Sequence, residues 1–352
     1  MSKESELVKN DPLVSIIILN YNGGEIILDC LESVFKTQDC VYEVILIDNN
    51  SIDQSSQKCK ELFPQVKLIS NKENIGMAAR NLGVKNSKGE FIVFLDSDTV
   101  VKPSWLKSFI DSYNKHGEGL YQPLFLEKER RNIISSAGNM INVLGFAFSI
   151  GRGEEEKGQY NKFKKVGYAP GACTFAQIET IKKIGNVEPI FFAYHDDLDY
   201  GWRAQLIDIS SYYEPSSIVY HYGSPTLKWS SKKFFLLERN RWICLLTLYS
   251  TRSILKILPL LIILEIGIGA YFLKKGMGFV KLKSFFSIIR LSRKISERKK
   301  EIQKKRKISE SQIIKDFVAD FYLQTSKNQE KTLEKIENII ISISKLAKNW
   351  LS

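Results

Sequence analysis

The sequence predicts an α/β fold, a Rossmann-like, mostly parallel sheet flanked by helices, followed by an α-helical, membrane-associating C-terminal extension. Three observations carry this expectation. Residues 13–98 alternate short β-branched runs with helical stretches. These runs end in polar side chains. The last third of the 352 residues is patterned as helix, with one long apolar stretch running into a dense series of lysines and arginines.

Residues 14–19 (VSIIIL) form a continuous β-branched run, as a strand buried on both faces requires. A helix is expected over 25–35, a strand over 43–47 (EVILI) and a helix over 55–63. A strand at 66–69, a helix at 77–84 and a strand at 91–95 (FIVFL) follow, the last ending in Asp96. This order argues for a parallel sheet with helical crossovers, which binds ligands beyond the carboxyl ends of its strands. Asn20, Tyr21 and Asn22 close the first strand, Asp48, Asn49 and Asn50 the second, and Asp96, Ser97 and Asp98 the fourth.

Residues 105–223 mix Gly-rich loops with short aromatic strands. Residues 230–253 read as a helix with aromatic and basic side chains interleaved, and 254–273 are apolar but interrupted by Lys256, Pro259 and Glu265. Ile313, Ile314, Phe317 and Phe321 mark one amphipathic helix. Leu333, Ile336, Ile340, Ile343 and Trp350 mark another. The expected organisation is a polar tail at 1–12, an α/β domain at 13–228 and apolar, membrane-docking helices at 229–273. A cationic segment at 274–308 and amphipathic helices at 309–352 complete it.

The formal charge of +12 is local. Residues 274–307 hold fourteen basic and two acidic side chains, so this segment accounts for all of it and the rest is neutral. That speaks for an anionic partner at one place, a membrane surface rather than nucleic acid, since no nucleic-acid module is recognisable. Hydrophobic residues at 44% and aromatics at 11% exclude a disordered chain. Five cysteines without a CxxC pair argue against a zinc cage or disulfide framework and fit reduced thiols. The first twelve residues lack an apolar core, so no signal peptide is expected.

Several groups carry chemistry. Asp96 and Asp98 flank a small residue at a strand end, where two carboxylates can hold a hard divalent cation that also binds substrate phosphates. The plain alternative is a turn in which each Asp caps a backbone N–H. His195-Asp196-Asp197-Leu198-Asp199 crowds three carboxylates, and in a pocket crowding and desolvation raise one pKa toward that of a general base. A solvated acidic helix start is the alternative, stabilised by the helix dipole. Arg80, near a helix start beside the strand ends, suits a phosphate oxygen. His221 can serve as a metal ligand, although a lone histidine is more often structural.

The series SIIILNYNG, VILIDNNSIDQS, NIGMAARNLG, FIVFLDSD, GACTF, FFAYHDDLDYGWR and VYHYGS, over residues 13–224, resembles an inverting family 2 glycosyltransferase of the GT-A nucleotide-sugar-binding fold, in its rhamnosyltransferase-like branch. The resemblance implies metal-dependent transfer of a sugar, of hexosyltransferase type, from a nucleotide-diphospho-sugar to an acceptor hydroxyl by single displacement. It implies that Tyr21 and Asp48 hold the nucleobase, with Asn20 and Asn50 at the same edge and Arg80 near base and diphosphate. Asp96 would meet the ribose and, with Asp98, a Mn2+ or Mg2+ ion, for which His221 matches a third ligand. Gly171 and Ala172 would lie under donor sugar and acceptor. Asp197 would be the general base and Asp196 its acidic neighbour. Two departures stand out: Asp196 replaces the family's Glu, and Asn186-Val187-Glu188-Pro189 replaces Gly-Phe-Asp-Glu. They bear on acceptor positioning and donor identity.

An enzyme is therefore expected. A catalytically degenerate scaffold is disfavoured by intact Asp96, Asp98 and Asp197, and a dinucleotide oxidoreductase by NYNGG where GxGxxG would stand. Residues 254–273 have the length of a bilayer span. A mid-membrane charge costs about 2.5–3.5 kcal/mol, so interfacial docking is expected over a single spanning helix, with the cationic segment on anionic lipids. The expected place is the cytoplasmic face of the cell membrane, peripheral or monotopic. The acceptor would be a lipid-linked or cell-surface glycan, with homo-oligomers through the C-terminal helices as a further expectation.

Overall fold

A central strand covered on both faces must be apolar on both, and β1 (Leu13–Asn20) is: Ile16, Ile17 and Ile18 are fully buried. The computed structural model describes residues 12–223, 230–321 and 330–352. After β1 come α1 (Ile26–Val34), β2 (Val41–Asp48), α2 (Ser55–Leu62), β3 (Lys67–Ser70), α3 (Arg80–Asn86) and β4 (Phe91–Asp96). Their ends lie within a residue or two of expectation, except that α3 is preceded by a 3-10 turn over Gly76–Ala79. β1 pairs in parallel with β2 and β4, and β2 with β3. The chain thus reverses its direction of travel across the sheet between β1 and β4, the place where such sheets open a crevice.

The second half comprises β5 (Thr99–Val101), α4 (Trp105–His116), β6 (Leu120–Glu127), β7 (Ile134–Ser136), β8 (Asn139–Ile141), β9 (Ala147–Ser149) and β10 (Lys164–Val166). β11 (Cys173–Gln177), α5 (Ile178–Ile184), α6 (Asp196–Leu206) and β12 (Ser211–His221) follow. β11 runs antiparallel to β4 and β6, and β12 runs parallel to β6. β5 pairs antiparallel with the end of β12, setting Thr99 opposite His221. One core packs Leu31 and Trp105 against a face of the sheet, and another packs Ala79, Ile181 and Tyr200 against the opposite face.

The C-terminal helices are α7 (Ser231–Leu248), α8 (Thr251–Lys274), α9 (Gly278–Arg290), α10 (Ser292–Lys305), α11 (Glu310–Asp316) and α12 (Glu330–Leu351). The helix expected over 230–253 breaks at Tyr249, because Ser250 turns extended and caps α8, its Oγ accepting from the Ser253 N–H at 3.1 Å. The amphipathic helix expected through Phe321 stops at Asp316. Phe317 is extended and packs edge-on to Trp202, and Val318 bridges to Asn142. The apolar spacing there reflects burial of a turn and a strand-like segment. Ile340 and Ile343 of α12 are buried. The side chains of Leu333 and Ile336, residues 1–11 and the expected boundary at 228 lie outside the described residues.

A third core unites Leu198 and Trp202 of α6 with Leu245, Ile302 and Phe317. The helices after residue 230 therefore continue the body of the α/β domain. Nor is the 274–308 segment uniformly solvated: Arg298 is buried against Asp199, Lys281 pairs with Glu238 and Glu265, and Arg306 with Glu310.

Candidate active site

The polar residues after β1, β2 and β4 lie on one edge by register: Asn20 stands opposite Asp48, and Leu19 opposite Asp96. Asn20 is buried, and its Nδ2 donates to Ser55 Oγ at 2.9 Å and Ser56 Oγ at 2.8 Å. It therefore braces the loop carrying the next polar cluster. Asn49, between Asp48 and Asn50, is equally buried; its Nδ2 donates to Asn74 Oδ1 at 2.9 Å and its Oδ1 accepts from the Ile75 N–H at 3.2 Å. Asp48 accepts from the Ser51 N–H at 3.1 Å. Tyr21 and Asn50 remain exposed at the rim, Asn50 with a left-handed φ of 67°.

At the end of β4, the β5–β12 ladder folds His221 back onto Asp98, with Nε2 to Oδ1 at 3.3 Å. One donor atom each from Asp96, Asp98 and His221 lie within 4.8 Å of one another. Two carboxylate oxygens and one imidazole nitrogen form a donor set that suits a divalent cation of the Mn2+ or Mg2+ kind, with positions left for phosphate and water. Burial works against a charged His221, but the hydrogen bond and charge of Asp98 outweigh it and raise its pKa.

Arg80 is the hub. It is almost fully buried, and its Nη2 donates to Asp96 Oδ1 and, at 2.9 Å, to the Gly171 carbonyl. Nη1 lies 4.0 Å from Asp196. A Cβ on Gly171 would stand 2.5 Å from Arg80 Nη1, so any side chain here would push the guanidinium out of place. The Gly171 N–H in turn donates to Asp197 Oδ2 at 3.3 Å, and the Ala172 carbonyl accepts from the Asp96 N–H at 3.0 Å. Gly171, through its carbonyl and its N–H, thus links Asp96 of β4, by way of Arg80, to Asp197 of α6.

Asp196, Asp197 and Asp199 all sit in the first turn of α6. Asp196 and Asp199 are buried, so a solvated acidic helix start does not describe them. Burial, then the charge of Asp197, pushes Asp196 up to about 8 against the pull of Arg80. Asp197 is also raised by burial, although the Leu198 and Gly171 N–H groups hold it down. It is the more accessible of the two. Two adjacent carboxyl groups raised in this way titrate as a pair, and one proton shared between them leaves a carboxylate able to accept another. His195 does other work: it is buried, its Nε2 donates to the Gly145 carbonyl at 3.3 Å, and burial holds its pKa down at about 4.

The acids are aimed by a strained loop. Phe192, Tyr194 and His195 all have left-handed φ, at 65°, 65° and 61°. Asn240 of α7 holds this shape: its Nδ2 donates to the carbonyls of Phe191, Ala193 and Tyr194 at 3.0, 2.9 and 2.8 Å. Arg239 adds bonds to the Ile190 and Phe191 carbonyls at 3.0 and 2.9 Å. Asn81 clamps Val187 in the departing 186–189 segment through both its N–H and its carbonyl, at 2.9 Å each. Reading the sequence missed Asn240 and Arg239. The one available cue was an asparagine, a poor helix former, in mid-helix between Arg239 and Arg241. A separate cleft of about 310 Å³, lined by Lys183, Arg203 and Arg298 among others, lies between α5 and α10, away from the Asp96–Asp98–His221 cluster.

Known proteins share parts of this chain. Residues 15–185 match the model of the family described as "Glycosyl transferase family 2". An uncharacterized glycosyltransferase of Haemophilus influenzae is 30% identical over 130 residues, 35% of this chain and 40% of that protein. Glycosyltransferase GlyG of Streptococcus pneumoniae is 33% identical over 100 residues, 27% of this chain and 33% of that protein. The dolichyl N-acetyl-alpha-D-glucosaminyl phosphate 3-beta-D-2,3-diacetamido-2,3-dideoxy-beta-D-glucuronosyltransferase of Methanococcus voltae is 31% identical over 110 residues, 29% of this chain and 34% of that protein. The matches thus span less than half of these relatives' lengths. Among solved structures, GalNAc-T7 with UDP, GalNAc and Mn2+ superimposes with a TM-score of 0.56 at 17% identity, covering 68% of this chain and 48% of that one.

Proposed function

From a chain that belongs to glycosyl transferase family 2 through residues 15–185, we propose an enzyme that moves a sugar from a nucleotide-diphospho-sugar to an acceptor hydroxyl with inversion. The observation that carries this is the continuous link from Asp96 through Arg80 and Gly171 to Asp197. That link supports reading Asp96 with Arg80 as an anion-binding end tied rigidly to Asp197 as a proton-accepting end.

Tyr21, Asp48 and Asn50 face the nucleobase from the rim, with Asn20 bracing their loops. Asp96, Asp98 and His221 would hold a divalent cation, Mn2+ or Mg2+. When bound, that ion supplies charge neutralisation for the diphosphate leaving group. Arg80 fixes Asp96 and adds positive potential at the same end. Gly171 and Ala172 form the floor on which donor sugar and acceptor meet. Asp197 accepts the proton of the acceptor hydroxyl as its oxygen bonds to the anomeric carbon. The bond from that carbon to the diphosphate breaks on the far side, and its electron pair leaves on the phosphate oxygen. Asp196, carrying its proton and held near Arg80, keeps the pair from bearing two adjacent negative charges.

The acceptor is read as a lipid-linked or cell-surface glycan, met at the cytoplasmic face of a membrane. The name of the Methanococcus relative, which speaks of a dolichyl phosphate-linked sugar, and the apolar helix α8 support that reading. Incubation with a panel of nucleotide sugars, with and without Mn2+ or Mg2+, tests the proposal. Metal-dependent release of nucleoside diphosphate from one donor is expected. Absence of release and transfer from every donor with either metal contradicts it.

A further inference from the structure

α8 and α9 form a hairpin about Gly276, and both keep an apolar stripe facing solvent. On α8, Leu255, Ile262 and Ile266 are exposed, Ile266 at 68%; on α9, Phe279, Phe285 and Phe286 are exposed, Phe279 at 78%. Each stripe follows the spacing of one helix face. Such large side chains left in water on neighbouring helices form a patch that asks for an apolar partner.

The inward faces are committed. Ile257, Leu261 and Leu264 of α8 lie in the core shared with α6 and α7. Glu265 of α8 and Glu238 and Arg241 of α7 close an ion-pair network with Lys281 of α9. A spanning α8 would have to strip this buried network and carry Glu265 into hydrocarbon. A helix lying in the plane of the interface keeps it intact. Glu265 is also the sole acidic residue from 251 to 296, whereas Lys256, Lys274, Lys275, Lys283 and Arg290 are exposed. The outward side therefore offers apolar and cationic groups with no exposed acid, the complement of an anionic lipid surface.

We propose that the α8–α9 hairpin lies in the plane of an anionic membrane, its apolar stripes in the headgroup–acyl boundary and its lysines and arginines on lipid phosphates. This deepens the membrane part of the proposed function and is independent of the chemistry. It moves the contact from the basic run as a whole to two helices, and makes α9, rather than α10, the second inserting element.

Flotation of the full chain with phosphatidylcholine vesicles and with equimolar phosphatidylcholine–phosphatidylglycerol vesicles tests it. The unaltered chain should float with the anionic vesicles at least about tenfold better than with the neutral ones. F285E/F286E should lose at least about tenfold of that binding, and L62E, an exposed apolar site on α2, should lose none. If the anionic vesicles bind F285E/F286E like the unaltered chain, the hairpin assignment is overturned while membrane binding survives. If no vesicle binds the unaltered chain, both fall. A dimer by light scattering that F285E/F286E converts to monomer would then assign the face to a second copy. Thermal unfolding shows whether F285E/F286E is folded. If it is not, K283E/R290E is decided by the same comparison: loss of anionic binding supports the proposal, and full retention overturns it.

Discussion

Arg298 of α10 donates from Nη2 to Asp199 Oδ1 at 2.5 Å, and Asp199 is fully buried. The other oxygen of Asp199 accepts from Arg203 Nε at 2.9 Å. Asp199 stands two residues beyond Asp197 on α6, so this pair fastens the helix presenting the acids to the C-terminal extension.

Removing one partner of a buried pair leaves a charge uncompensated. Arg298→Ala should therefore cost about 3 kcal/mol in chemical denaturation. A loss below about 1 kcal/mol would show that Arg203 alone satisfies Asp199.

Asn240 holds the left-handed loop before the acids through amide protons. Asn240→Asp replaces that donor with an oxygen aimed at three carbonyls. The loop should shift, lowering kcat about tenfold or more while donor affinity by calorimetry changes little. Equal loss in both would point to general unfolding of the site.

Gly171→Ala places a methyl group against the Arg80 guanidinium. Displacing Arg80 should reduce turnover by about 10- to 100-fold with little change in stability. Normal turnover would show that Arg80 can move without consequence.

Burial and the charge of Asp197 push Asp196 up to about 8 in the folded chain, from its ordinary value of about 4 when unfolded. The folded state binds the extra proton between these values, so this group's contribution to stability falls as pH rises through that window. Asp196→Asn removes the effect. Relative to the variant, the unaltered chain should lose stability between about pH 5 and about pH 8. Parallel curves would contradict the assignment.

The fold was legible because β1 and β4 are uninterrupted apolar runs and their polar ends share a sheet edge by register. Asp96 and Asp98 stand out as a carboxylate pair at a strand end, and Asp196, Asp197 and Asp199 as crowded carboxylates. Their joining could not be read, because Arg80, Gly171 and Asp197 are brought together by packing across three separate segments. His221 is a candidate metal ligand by residue type and resemblance, and the β5–β12 ladder supplies its contact with Asp98. Asn240 was invisible for a similar reason: its partners are backbone carbonyls, which leave no mark on residue type. The 274–308 segment misled by composition, since charge counting hides both the buried Arg298 and the exposed phenylalanines of α9.

Turnover of Asp197→Asn, measured beside its donor affinity by calorimetry, tests the central claim most directly. The account predicts donor binding close to that of the unaltered chain with transfer reduced by about 100-fold or more. Transfer at the unaltered rate would remove Asp197 as the base.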